Sequence, residues 1–192
     1  FDARHAIADR ALEIDASGRL AFRIGAGAGK LAVVTGAALA AQRWYHVAAS
    51  YDAATGRIAL HQAPSTRHDF HPEQPVDAEA AAGFAPGAGG PLLFAAASTG
   101  PADGPSPWGG LGFALHFNGR IDAPRLAEGV LDAAGRARLA ATPLDAALAQ
   151  TLIAAWDFSL DIAGEAITDL GPRRLHGQIV NLPTRAMRGH NW

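Results

Sequence analysis

The chain has 192 residues, contains no cysteine and carries a formal net charge of −2. The absence of cysteine excludes disulfides, thiolate zinc sites and cysteine nucleophiles, and the balanced charge offers no basic surface for nucleic acid or anionic membranes. We therefore expect one globular domain that has neither nucleic-acid nor membrane partners and depends on apolar burial for its stability.

The first half of the chain consists of short runs in which apolar and polar residues alternate, separated by turn-forming residues. This period of two is typical of half-buried β-strands. Residues 11–14 and 20–24 flank Gly18, which tolerates the positive φ of a hairpin turn. A further strand is predicted at residues 30–35, and a second hairpin is predicted at residues 43–51 and 57–62.

The second half is less regular but again favours strands. Residues 63–90 are rich in Pro, Ala, Gly and His and are interpreted as a long surface loop. Asn118 and Gly119 favour a type I′ turn, so residues 111–126 are predicted to form a hairpin. Trp44 and Trp156 lie in strand patterns and are predicted to fill the core. The other predicted elements are a strand at residues 91–97, a short exposed helix at 131–141, a helical turn at 145–151, and strands near 152–158, 166–170 and 175–180.

Three segments resemble a known family. Residues 43–60 contain Arg-Trp-Tyr-His-Val-Ala-Ala-Ser-Tyr-Asp and then Gly and a paired strand pattern, and residues 117–126 read Phe-Asn-Gly-Arg-Ile-Asp-Ala-Pro-Arg-Leu. Residues 155–177 contain Trp-Asp-Phe, Asp-Leu-Gly and His-Gly. These motifs resemble laminin-G-like domains, and the resemblance implies an all-β, concanavalin A-like antiparallel jelly-roll sandwich with one short helix. Its predicted extent is residues 1–180, followed by a linker at 181–192 towards a missing downstream domain.

The order of these motifs leaves the strand order open. The segment with Trp-Asp-Phe, Asp-Leu-Gly and His-Gly resembles the one that usually begins a laminin-G-like domain, whereas here it comes last. Either the strand order is permuted, or this segment closes a sheet whose first strand lies upstream of Phe1.

The ending of the chain, residues 180–192, together with the segment before it, is similar to the large subunit of bacterial N,N-dimethylformamidases. In that family a concanavalin-like domain precedes a separate catalytic domain that uses iron to hydrolyse formamides. The resemblance stops before the catalytic region, so no catalytic residue of the family is carried onto this chain. It implies a non-catalytic accessory domain, located in the bacterial cytoplasm, whose partner is the downstream catalytic domain or another subunit.

Motifs of common enzyme classes are incomplete in this sequence. Residues 25–30 superficially resemble a phosphate-binding loop but lack its first Gly and its magnesium-binding Ser or Thr. Glu13 and Asp15 match two of the acids that some concanavalin-like glycosidases place on a strand, but Ser17 stands where another glutamate belongs. His68 and His71 lie in a Pro-rich loop without the spacing of metal ligands.

Two sets of residues remain candidates for binding. As the alternative to an accessory domain, a lectin-like module would contact a glycan through Trp108, His116 and Asp122, a hypothesis that rests on fold analogy. Calcium is bound by many proteins of this fold, and it would take oxygen donors from Asp157, Asp161 and Asp169. The competing interpretation is that these acids cap turns and form ion pairs.

Overall fold

The computed structural model describes residues 10–25, 31–65, 75–81, 91–101, 111–142 and 146–185. The chain divides into two compact units, Phe1–Asn118 and Gly119–Trp192. The described residues form antiparallel strands and one short α-helix, which confirms the predicted all-β class. No helix in these ranges is long and apolar enough to cross a membrane.

The first unit is built from antiparallel hairpins. Its described strands pair in the orders β1-β2-β3, β4-β5-β6 and β7-β8. Two predicted hairpins are confirmed, since β1 pairs with β2 and β4 pairs with β5. The strands are β1 (Arg10–Ile14), β2 (Arg19–Ile24), β3 (Leu31–Ala38), β4 (Tyr45–Asp52), β5 (Arg57–Pro64), β6 (Val76–Ala81), β7 (Ala97–Pro101) and β8 (Leu111–Ala114).

Both hairpin turns combine a glycine with a capping aspartate. Gly18 has a φ of 76° and Gly56 a φ of 66°, values that residues with a side chain adopt only at a cost. The Asp15 carboxylate accepts from the backbone N–H of Arg19, and the Asp52 carboxylate accepts from that of Ala54. Local turn chemistry therefore favours the observed registers of these two hairpins.

The core of the first unit lies between strands of its first two sheets. Alternation in β5 sends Ile58, Leu60 and Gln62 inward, while the residues between them are less buried. The buried core residues are Leu20, Phe22, Ile24, Val33, Ile58 and Leu60. The buried hydroxyl of Thr35 donates to the Gln62 side-chain oxygen at 3.0 Å, so both polar groups have a partner inside this core.

The second unit contains shorter elements. Its described strands are β9 (Arg125–Ala127), β10 (Leu152–Asp157), β11 (Ala166–Asp169) and β12 (Gly177–Gln178), in the order β12-β11-β10-β9. The predicted helix is confirmed as α1 (Ala133–Ala141), which begins where the Asp132 side chain accepts from the Gly135 N–H. A 3₁₀ turn spans Ala146–Leu148. Ala154, Trp156, Ile167 and Ile179 form the small core.

Several local predictions were wrong for physical reasons. The segment interpreted as one long loop contains β6, which pairs along β5. Its sequence Val-Asp-Ala-Glu-Ala-Ala is rich in alanine, which weakens the strand signal. Residues 91–96 are not a strand, and the predicted hairpin at Asn118 and Gly119 is absent because β8 pairs with β7 and β9 pairs with β10. Trp156 is in the core as predicted, whereas Trp44 is only partly buried.

Candidate functional site

The predicted glycan contacts lie in different parts of the chain. Trp108 falls outside the described residues. His116 is exposed, just after β8 in the first unit. Asp122 is exposed in the second unit, where its charge acts on Arg125. The glycan contacts therefore stay predictions.

Asp122 interacts electrostatically with Arg125. The Arg125 guanidinium donates to the carbonyl oxygen of Leu139 in the last turn of α1, an end of a helix that favours positive charge. Burial lowers the pKa of Arg125, and the negative charge of Asp122 opposes that shift only in part. Asp122 thus has a local role in compensating a half-buried cation.

Asp169, one of the three predicted calcium ligands, is fully buried and accepts three backbone N–H groups. Its Oδ1 accepts from Ala155 and Gly171, and its Oδ2 accepts from Leu175, each at 2.7 Å. Burial is the largest single influence and raises the pKa of Asp169, but the three hydrogen bonds and the nearby His176 together hold it below its usual 3.8. The carboxylate is therefore ionised at neutral pH and is directed at backbone donors.

The residues around Asp169 form one connected structure, which we call the Asp169 turn (residues 169–176). The Asp169 N–H donates to Nδ1 of His176 at 3.1 Å, and the Trp156 indole N–H donates to the Leu175 carbonyl at 2.8 Å. A Cβ at Gly171 would lie 2.9 Å from the Ala154 Cα, so a side chain does not fit there. The Trp, Asp, Gly and His of the third family-like segment are thus explained as parts of a stabilised turn.

Asp157 and Asp161 also make local contacts. Oδ1 of Asp157 accepts from the backbone N–H and the hydroxyl of Ser159, and Oδ2 of Asp161 accepts from the hydroxyl of Thr168 at 2.9 Å. Thr168 pairs with Asp157 across β10 and β11, which brings these two acids to one strand pair, whereas Asp169 is buried. Among the described residues, no group of three or more His, Asp or Glu side chains is arranged to hold a metal ion. The calcium site stays a prediction.

Arg185 makes a contact that sequence reasoning missed. Its guanidinium donates to four main-chain carbonyl oxygens at 2.6–3.3 Å. Those of Leu160, Asp161 and Gly164 lie in the β10–β11 connection, and Ala166 is the first residue of β11. Carbonyl oxygens arranged in this way are also ligands that calcium accepts, but here an arginine binds them. The beginning of the segment interpreted as a linker is therefore attached to the second unit.

A polar sheet face was also missed. His61 on β5 contacts Asp77 on β6 through Nδ1 at 2.8 Å, and its ring meets that of His46 edge-on at 6.2 Å between centroids. Strand pairing places Ser50 and Glu79 opposite Ala59 on the face that carries these side chains. The side chain of His61 is 16% exposed, while that of Asp77 is 61% exposed. Alternation in β4 had placed His46 and Ser50 on one face, which was the available sequence signal.

A family model described as the concanavalin A-like lectin/glucanases superfamily matches residues 4–134. The chain belongs to this superfamily. The match confirms the predicted concanavalin A-like fold class and includes the whole described part of the first unit. The superfamily match ends before the Asp169 turn, so whether the strand order is permuted stays open.

Curated relatives of this superfamily member extend further along the chain. This chain is 32% identical over 189 residues to the N,N-dimethylformamidase beta subunit of Paracoccus aminophilus. It is 27% identical over 189 residues to the N,N-dimethylformamidase beta subunit of an Alcaligenes species. Each alignment includes 91% of this chain but only 24% of the relative, so the chain spans about a quarter of the relatives' length. Both relatives are named beta subunits, whereas the sequence resemblance had pointed to a large subunit.

Proposed function

We propose that this chain is a non-catalytic accessory region of an N,N-dimethylformamidase-like subunit, which supports the folding and assembly of the part that performs the chemistry. The observation that carries the proposal is the 32% identity to a beta subunit in which the aligned stretch makes up 24% of the length. In this proposal, amide hydrolysis, the iron that supports it and any large-subunit role belong to the remaining sequence. The bacterial cytoplasm stays the predicted location.

The contacts of the acidic side chains support a structural role. A catalytic carboxylate must be directed at a substrate atom or at the proton to be transferred. Asp169 instead accepts from three backbone N–H groups, Asp15 and Asp52 cap hairpin turns, and Asp157 accepts from Ser159. These carboxylates accept hydrogen bonds from groups of the fold itself. This is expected for a region that has a structural role and positions the catalytic part of the subunit.

The test is removal of residues 1–185 from a full-length dimethylformamidase-like subunit that contains them. We expect the shortened subunit to lose its native assembly, because an accessory domain supplies part of the interface within that assembly. Light scattering measures the assembly. Its matched control is the full-length subunit with Leu12→Ala, an exposed change in the same region. Unchanged assembly and unchanged hydrolysis of N,N-dimethylformamide after the deletion would contradict the proposal.

A second candidate function is glycan binding, favoured by the polar face of the β4-β5-β6 sheet. This face carries His46, His61 and Asp77 together with small residues such as Ser50 and Ala59, and imidazole and carboxylate groups hydrogen-bond well to sugar hydroxyls. Binding of the chain to a glycan array, with calcium and again with a chelator, tests it. Selective, saturable binding would support a lectin-like module, and loss of binding in chelator would also support the calcium hypothesis. A blank array would contradict this second candidate.

A further inference from the structure

Four large apolar side chains are exposed together at one end of the β7–β8 hairpin. Leu92, Phe94, Leu115 and Phe117 are 58%, 38%, 53% and 39% exposed. The two segments that carry them lie side by side, because β7 pairs with β8 and the Phe117 N–H donates to the Ala95 carbonyl at 2.8 Å. We call these four residues the β7–β8 patch.

The two segments that carry this patch are uncharged. Residues 91–101 and 111–119 contain no Asp, Glu, Lys or Arg, and His116 is the one histidine among them. Ion pairs therefore cannot select a partner here. The occupant that fits is an apolar, uncharged protein surface, because burial of apolar area against apolar area is favourable.

The backbone at the patch is strained. Ala95 and Leu115 have φ values of 63° and 53°, in the left-handed region, which residues with a side chain adopt only at a cost. Ala95 follows the exposed Phe94, and Leu115 is itself one of the four exposed residues. Backbone strain of this kind concentrates where side chains must be presented in a defined way. The strained backbone is thus a second observation, besides apolar exposure, that marks the β7–β8 patch.

From these observations we propose that the β7–β8 patch docks against an apolar surface in the remaining part of the same dimethylformamidase-like polypeptide. This inference rests on the proposed function and on the relatives, in which about three quarters of the length lies outside the aligned stretch. A partner within the same chain fits better than a separate one. Stable interfaces between separate proteins bury about 800 Å² on each side, whereas a covalent link supplies the effective concentration that makes a small patch sufficient.

The test uses the full-length subunit with a photo-reactive benzoylphenylalanine at position 117. The matched control carries the same group at position 12, since Leu12 is a large apolar side chain of the first unit that is 45% exposed. An equal mixture of isotopically labelled and unlabelled subunits distinguishes cross-links within one chain from those between two copies. We expect position 117 to form cross-links within one chain, to peptides beyond the aligned region, at a severalfold higher yield than position 12.

Three results would overturn the docking inference: cross-links from position 117 to a second copy, cross-links to a different subunit, or a yield no higher than at position 12. The deletion experiment separates this failure from failure of the proposed function. If the deletion disrupts assembly while position 117 does not cross-link within its chain, the patch is wrongly assigned and the accessory role stands. If the deletion changes neither assembly nor hydrolysis, the accessory role itself fails.

Discussion

The two units are stabilised in different ways although both consist of antiparallel strands. Among the described residues of the first unit, alternating apolar residues of β2, β3 and β5 fill a core of six buried side chains. In the described part of the second unit, the core has four members, one of them an alanine, and the fully buried Asp169 lies beside it. Long strands can rely on apolar burial, whereas short strands need a polar group to satisfy the turns between them.

The difference follows from strand length. β4 and β5 have eight residues each, so their ladder satisfies most backbone groups. β11 has four residues and β12 has two, which leaves the N–H groups of the intervening turn without strand partners. An unsatisfied buried N–H costs about 1–3 kcal/mol. The Asp169 carboxylate accepts from Gly171 and Leu175 in this turn and from Ala155 on β10, so it makes a large local contribution.

The largest expected effect is loss of apolar volume in the first unit. Leu60→Ala removes a side chain that is 1% exposed and should lower the free energy of unfolding by about 2–5 kcal/mol. Urea denaturation measures the loss, and amide exchange assigns it to the first unit. Leu12→Ala, at an exposed position on β1, is the control. Equal losses for the two variants would contradict the core assignment.

The second effect concerns the Asp169 turn. Asp169→Asn keeps the shape but places an amide N–H₂ against one of the backbone donors, so the free energy of unfolding should fall by about 1–3 kcal/mol. Amide exchange should rise at Ala155, Gly171 and Leu175, which donate to this carboxylate. Asp157→Asn is the matched control, because Asp157 is only partly buried and accepts from Ser159 nearby in sequence. A larger loss of unfolding free energy for Asp157→Asn than for Asp169→Asn would contradict the proposed difference between the two units.

The pH dependence sharpens the same point. The pKa of Asp169 is lower in the folded chain than its usual 3.8, so the stabilisation is complete above that value. It is lost as the pH falls through the lower, folded pKa, because protonation removes an acceptor. Denaturation of wild type and Asp169→Asn between neutral and strongly acidic pH should show a stability difference that shrinks only below about pH 4. A constant difference would indicate that the charge of Asp169 is unimportant.

The smallest effect is expected at Arg185. Arg185→Ala removes hydrogen bonds to four exposed carbonyls and should lower the free energy of unfolding by only about 0.5–1.5 kcal/mol. Amide exchange should rise in the β10–β11 connection. Arg185→Lys, which keeps the charge but loses the planar fork, should be intermediate. If Arg185→Lys kept the amide protection of the wild type in the β10–β11 connection, charge rather than guanidinium geometry would explain the contact.

Local signals account for what the sequence predicted. Gly18 and Gly56 with their capping aspartates determine two hairpins within a few residues, and Asp132 marks the start of α1. Non-local pairing accounts for what it missed: the turn residues Asn118 and Gly119 do not join β8 to β9, since each strand pairs elsewhere.

The same distinction applies to the candidate site. Asp169 was recognised as an oxygen donor, but one of its partners lies 14 residues away, and nothing local identifies that partner. Arg185 reaches carbonyls 19–25 residues earlier, a contact with no pattern of its own in the sequence. His61 and Asp77 meet only because β6 exists, and the alanines of β6 concealed that strand.

The central claim, that this chain supports catalysis without performing it, is tested most directly by a hydrolysis assay. The purified 192-residue chain is incubated with N,N-dimethylformamide and ferrous iron, and release of dimethylamine is compared with that from a full-length dimethylformamidase-like subunit. We predict release at the buffer rate from the chain alone and enzymatic release from the full-length protein. Saturable release of dimethylamine by the isolated chain would contradict the account.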